Sequence, residues 1–442
     1  MQRGPGRGTP VARPTTAAAN RRASDAAFAA ASCSWQAAAR DGAATVVCLP
    51  APTDTPLHCP HFGRCGGCTR LDQPIGDQLA DKQARARELL APFLAGVEPA
   101  IALPPRTPRH DRTAILYPAQ LHERRLSLGI YRRGSHDVEP ITDCRIQHKA
   151  LTQLGVRLGD ALRALNLPVY LEGTGRGLVR GVKACVMPGS NELLTGVIVT
   201  RSDFSERNAL AKAMTAATAG LRDDQGRPLQ PVGCVLNVND RPGNALLGPT
   251  TIALSGRSWQ TDVQGGLRFR VSFGSFYQLH RHADAILFQP ALAMLGDVAG
   301  RRVVDGYGGV GTCGLRLLRA GAAHATIVES SPSGCADARA NVADNGFGDR
   351  AEVREEPFGS APLPACDLLV ADPPRAGLLA QGAAAILQAA PPRVLLVSCA
   401  LEALARDLAA LAAGYRVAQV RLCDLFPHTE HVEALTLLER RA

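Results

Sequence analysis

Beyond about residue 272 the chain alternates short apolar runs with helical stretches, and no other feature restricts its possible folds so sharply. Arg302-Val303-Val304-Asp305 leads into a glycine loop, Gly306-Tyr307-Gly308-Gly309-Val310-Gly311, and a helical stretch over 315–319. Residues 325–329 form a second apolar run, followed by a helix ending at Asn341. A third run covers 366–371 and a fourth 394–397, with a helix over 401–411. Runs that are apolar without alternation suit strands buried on both faces, and helices between them predict an α/β fold with a parallel sheet.

Ligands of such open sheets bind outside the carboxyl ends of the strands. Four polar residues fall there: Asp305, Glu329, Asp372 and Cys399. The glycine loop lets backbone approach a ligand closely, and Glu329 can accept hydrogen bonds from ribose hydroxyls. A dinucleotide-binding enzyme would show the same pair. Asp372-Pro373-Pro374-Arg375 narrows the choice. Amino-group methylases carry an aromatic residue in the fourth place of a related turn, and Arg375 there argues against methylation of an exocyclic amine.

Cys399 lies between a strand and a helix, where a thiol tends toward a lowered pKa; a small buried cysteine is the competing reading. Glu433 enters the apolar run 434–438, so burial is expected to raise its pKa and suit it to proton abstraction. His428 and His431, in a polar turn, read as structural.

The first part of the chain has a different texture. Residues 1–50 are rich in Ala, Arg and Pro and are expected to be a disordered basic tail, akin to a transit peptide or to a start codon placed too early. Cys59, Cys65 and Cys68, with a later Cys144, make a group of four thiols that could hold zinc or an iron–sulfur cluster. Residues 78–90 read as a helix, and about 150–270 as short strands with turns. No apolar run approaches the ~20 residues that cross a bilayer, and clustered cysteines suit a reducing, cytoplasmic setting. The net charge of +9 favours a polyanionic partner, while aromatics at 4% speak against a long stacking platform.

Taken in order, these pieces resemble the RNA uracil-C5-methyltransferase family, specifically its iron–sulfur branch acting on large-subunit (23S) ribosomal RNA. The resemblance runs from Cys59 to the C-terminus. Its carriers are the four cysteines, Phe273-Gly274-Ser275-Phe276-Tyr277-Gln278, the glycine loop with Thr312, and Asp372-Pro373-Pro374-Arg375-Ala376-Gly377. Ser398-Cys399 with Ala405-Arg406-Asp407-Leu408, and Phe426-Pro427-His428-Thr429 leading to Glu433, complete it. Ala400-Leu401 departs from the Asn-Pro frequent after the cysteine.

The resemblance implies a Rossmann-like class I methyltransferase domain over 272–442, preceded by a β-rich α+β RNA-binding region over 51–271 that bears the cysteine site. It implies Cys399 as nucleophile and Glu433 as base, with Gln278, Tyr307, Glu329 and Asp372 contacting S-adenosylmethionine. Cys59, Cys65, Cys68 and Cys144 would hold a [4Fe-4S] cluster. Arg124, Arg125, Arg132, Arg133, Arg176 and Arg180 are candidates for RNA contact. Competing expectations are a transfer-RNA uracil methylase with the same chemistry and a non-catalytic iron–sulfur RNA-binding protein.

Overall fold

The computed structural model describes residues 57–102, 104 and 107–441, so the expected tail over 1–50 lies outside the described residues. Helix α1 (Ile75–Leu94) and the short strand β1 (Ala100–Ile101) come first. Seven strands then build one sheet: β2 (Ala114–His122), β3 (Arg125–Tyr131), β4 (Val138–Pro140), β5 (Val179–Val186), β6 (Glu192–Val199), β7 (Gln230–Val238) and β8 (Thr250–Gly256). Their order is β4-β3-β2-β5-β6-β7-β8, with β6–β7 parallel and the other pairs antiparallel.

Two helices pack on this sheet, α2 (Lys149–Ala164) and α3 (Arg207–Thr218). They correct the expectation of short strands alone between 150 and 270. The helical period was present: Leu151, Leu154, Leu158 and Leu162 are all fully buried. Gly155 and Gly159 obscured it, since glycine is a poor helix former. Gly155 is needed for contact, because a Cβ there would stand 2.7 Å from the Tyr117 ring.

A hairpin, β9 (Trp259–Gln264) and β10 (Leu267–Ser272), leads into the second large sheet. That part runs α4 (Gln289–Leu295), β11 (Arg302–Gly306), α5 (Thr312–Arg319), β12 (His324–Glu329), α6 (Pro332–Asp344) and β13 (Ala351–Glu355). It continues through β14 (Leu368–Ala371), α7 (Leu379–Ala389), β15 (Arg393–Ser398), α8 (Leu401–Leu411), β16 (Tyr415–Cys423) and β17 (Glu433–Arg440). The sheet order is β1-β16-β17-β15-β14-β11-β12-β13, parallel from β15 to β13, with β17 antiparallel to both its neighbours.

Both faces are covered, as unbroken apolar strands require. Val303, Ile327, Val370 and Leu395 enter one hydrophobic cluster. Their chain neighbours Val304, Val328, Leu369 and Leu396 enter another on the opposite face. That second face is completed from far away in sequence: Ala86, Leu90 and Leu94 of α1 join it, and β1 extends the sheet beside β16.

The hairpin is fastened to α6 by polar side chains spaced four residues apart. Asp337 accepts hydrogen bonds from the Ser272 backbone (2.7 Å) and from the hydroxyls of Ser272 (2.8 Å) and Ser275 (2.6 Å). Asn341 bonds both backbone groups of Arg270 and the Val310 carbonyl. Asn345 does the same for Arg268. The helix thereby satisfies one edge of β10, and the 273–278 loop is held where it enters the site. Asn341 is fully buried; Asn341→Ala strands three backbone groups and should lower stability by about 2–3 kcal/mol, read from urea denaturation.

Candidate active site

The carboxyl ends of β15, β14, β11 and β12 carry Cys399, Asp372, Asp305 and Glu329 in that spatial order. Glu433 joins them from the antiparallel strand. Ser398 pairs with Ala434, so Cys399 and Glu433, one residue further on each chain, stand opposite one another at the same end. The Asp372 backbone N–H donates to the Gly306 carbonyl at 3.2 Å, tying the β14 and β11 termini together.

Asp305 is buried, with one oxygen accepting the Gly314 N–H at 2.6 Å where α5 begins. Burial, and secondarily Glu329, push its pKa up to about 7 against that hydrogen bond. The glycine loop adopts backbone that side chains resist, with φ of 56° at Gly309 and 86° at Gly311. A Cβ at Gly308 would meet Ile327 at 2.6 Å, so the loop lies hard against β12.

Each proposed donor contact has a definite place. Glu329 accepts from the backbone N–H groups of Gly309 (2.9 Å) and Ser331 (2.6 Å), which fixes its carboxylate beside the loop. Tyr307, at φ 58°, donates its hydroxyl to the Leu378 carbonyl at 3.2 Å and packs on Phe358 with ring centroids 4.9 Å apart. Gln278 hydrogen-bonds the Glu433 side chain.

Glu433 is 2% exposed, and its Oε2 has no hydrogen-bond partner. Burial pushes its pKa up to about 7, although Arg375 and Gln278 draw it down, as expected of a carboxylate entering an apolar strand. Asp372 is raised by burial, then by the charges of Glu433 and Asp305.

Cys399 is half-buried. Its thiol pKa is raised by burial first and by Glu433 second, with Asp372 adding and Arg375 opposing. This corrects the expected lowering. The helix α8 does begin just beyond it, but burial of the sulfur, with Glu433 and Asp372 adding, outweighs what Arg375 and the backbone offer the thiolate. The helix start survives the Ala400-Leu401 departure because the Ser398 hydroxyl accepts the Ala400 N–H at 3.4 Å.

These residues fit S-adenosylmethionine. Asp372 and Glu433 are disfavoured as anions by burial and mutual repulsion, and a sulfonium cation beside them offsets both. The Glu329 carboxylate stands over a glycine loop where a Cβ at Gly309 would touch only the Phe276 carbonyl, at 3.7 Å.

Several contributors were given no role in the site by sequence reasoning. Arg375, read only as a departure from an aromatic, is the cation acting on Cys399 and Glu433. Phe276 is 69% exposed beside the loop. Asp407 receives the Leu378 N–H on both oxygens at 3.1 Å and holds the turn that follows Arg375. Lys82 of α1 donates to Asp424 at 2.8 Å and to the Phe426 carbonyl at 3.1 Å, bracing the loop that delivers Glu433. His428 is structural as expected: its N–H donates to Gln78 at 2.9 Å and its ring lies 2.9 Å from the Pro108 carbonyl.

The four cysteines Cys59, Cys65, Cys68 and Cys144 gather at the start of the first sheet. Cys65 bridges to Arg132, and Cys144 is buried. Their electrostatic influence is mutual. Burial, then Cys144 and Cys65, pushes Cys68 up to about 12. Cys144 reaches about 11 by burial, with Cys59 and Cys65 contributing. Glu139 anchors the loop. Burial opposes its ionisation, but hydrogen bonds from Arg64, His61 and Arg132 outweigh it and hold the carboxyl below the ordinary range. Among the described residues no three His, Cys, Asp or Glu side chains form a group that could hold a metal ion.

A parallel sheet with a glycine loop after β11, an acidic residue ending β12 and a thiol at the same edge is the arrangement of a Rossmann-like methyltransferase domain. The family described as tRNA (Uracil-5-)-methyltransferase matches residues 364–441. An RNA methyltransferase of Halalkalibacterium halodurans is 30% identical over 393 residues, 86% of this chain and 82% of its own. One of Gloeobacter violaceus is 33% identical over 392 residues, with the same coverage of 86% and 82%. Pyrococcus abyssi tRNA (uracil-54, C5)-methyltransferase, solved with S-adenosyl-L-homocysteine, shares the fold at 21% identity, a TM-score of 0.69 and 86% coverage of each chain. The chain belongs to the S-adenosylmethionine-dependent RNA uracil-C5-methyltransferase family.

The raised Glu433 pKa has a consequence for stability. The folded chain holds this proton more tightly than the unfolded one, so the contribution is full below the ordinary value of 4.5 and is lost as pH rises through about 7. Wild-type stability should therefore fall between about pH 5 and about pH 8 by on the order of 2 kcal/mol more than that of Glu433→Gln, measured by denaturant titration at each pH.

Proposed function

We propose that the chain methylates C5 of a uridine in 23S ribosomal RNA, with Cys399 as nucleophile and Glu433 as the base. What supports this reading is the strand register that sets the two side chains opposite each other beside Asp372. C5 of uracil is a weak nucleophile. Addition of the Cys399 sulfur to C6 makes C5 enolate-like, dividing one hard step into easier ones. S-adenosylmethionine supplies the electrophilic methyl group when bound. Glu433, with a free Oε2, then takes the C5 proton, the C6–sulfur bond breaks, and the thiolate leaves. Arg375 favours the thiolate, while Gln278 orients Glu433. Glu329 accepts ribose hydroxyls, Tyr307 and Gln278 line the donor's side, and Asp372 answers the sulfonium charge. The uridine must leave its stack to expose C5 and C6.

Cys59, Cys65, Cys68 and Cys144 would hold a [4Fe-4S] cluster as thiolates, their protons displaced on binding. Residues 51–271 then serve as the cluster-bearing RNA-binding region and 272–442 as the methyltransferase, with α1 and β1 lent to the latter. Reduced thiols of this kind suit the cytoplasm; no helix among the described residues is long and apolar enough to cross a membrane. A transfer-RNA substrate is the second reading, favoured by the description of the matching family.

In cells lacking the protein, mass spectrometry of 23S and transfer RNA should reveal one missing 5-methyluridine in 23S RNA. Loss from transfer RNA instead would select the second reading. Cys399→Ala should fold normally, fail to restore the mark and form no covalent adduct with 5-fluorouridine RNA; full activity would remove the mechanism. Protein purified without oxygen should contain about four irons per chain. Cys65→Ser should lose them with its visible absorbance, and one zinc per chain would refute the cluster.

A further inference from the structure

A second cleft lies on the other sheet, away from the carboxyl edge that carries Cys399. It has a cavity volume of about 110 Å³ and is lined by residues including Tyr131, His136, Tyr170, Glu172, Arg180 and Asn244. Arg180, expected from sequence to contact RNA, is 3% exposed and serves the protein instead. Its guanidinium donates to the carbonyls of Arg241 at 2.7 Å and Ala245 at 2.9 Å, among others, and stacks on the Tyr170 ring at 4.1 Å. One wall of the cleft is thus a tyrosine ring fixed in place before any ligand arrives. A second wall carries Tyr131 and His136, with ring centroids 5.9 Å apart. Beside them Leu171 stays 43% exposed.

The lining favours a flat ring over a phosphate. Both terminal nitrogens of Arg180 are spent on backbone carbonyls and its Nε is buried, while Glu172 in the lining would repel an anion. Glu172 stands 3.3 Å from His136 and can accept a hydrogen bond from an exocyclic amine, as carboxylates do from cytosine. Within four residues of the lining in sequence are the exposed Arg133, Arg176 and Arg241, a basic setting that favours a polyanion. Aromatic side chains that stack on a base within a basic rim are a recurring means of holding single-stranded RNA.

We infer that this cleft holds one unstacked, amine-bearing base of the RNA substrate, distinct from the uridine that is methylated. The inference rests on the substrate being RNA and is independent of the roles of Cys399 and Glu433. Its test uses the full chain and RNA from cells lacking the protein. Asn244→Trp, on an exposed loop, should block the cleft; Tyr170→Ala removes the platform. Each should raise KM for that RNA by about tenfold, with a smaller effect on kcat. Ultraviolet crosslinking of wild-type protein should place a nucleotide on the peptide containing Tyr131 or Tyr170. Unchanged KM in Asn244→Trp, or crosslinks that avoid both peptides, would overturn the inference. A wild-type chain that methylates no RNA would count against the proposed function alone, and the crosslinks would still decide this site.

Discussion

Four carboxylates and a thiol share the carboxyl edge of one parallel sheet, and keeping them there against their desolvation is the constraint that organises the rest of the molecule. Asp305, Asp372 and Glu433 all have raised pKa values, chiefly from burial. Such a cluster persists only where the surrounding backbone is firmly held. Asp305 anchors the start of α5, Asp407 fixes the turn beyond Arg375, and Lys82 braces the loop before Glu433. These groups lie around the edge and make its geometry possible.

The same electrostatics divide the labour within the site. Cys399 and Glu433 raise one another's cost of ionisation, so both being charged at once is disfavoured. Arg375 is the side chain that opposes this. A cationic donor arriving beside Asp372 would shift the whole set toward its ionised forms, coupling donor binding to activation of the sulfur.

Much of this was legible in the sequence, for identifiable reasons. Strands β11, β12, β14 and β15 are unbroken apolar runs punctuated by Gly, Glu, Asp and Cys, so both the sheet and its chemical edge could be read. The raised pKa of Glu433 followed from its apolar neighbours. What escaped notice depends on contacts distant along the chain. Helix α2 was hidden by Gly155, which exists to admit the Tyr117 ring. The thiol of Cys399 was misjudged because its burial, and then the charges of Glu433 and Asp372, come from elements distant along the chain. Arg180 looked like an RNA ligand from its charge, and only its burial shows otherwise.

The long reach of α1 carries an implication for dissecting the molecule. Ala86, Leu90 and Leu94 cover one face of the second sheet, β1 lies along β16, and Lys82 neutralises Asp424. A fragment cut at residue 272 would retain every residue proposed for chemistry and yet expose an apolar face, a bare strand edge and a stranded buried charge. The catalytic half is therefore not a separable module; its natural boundary is scattered across the chain.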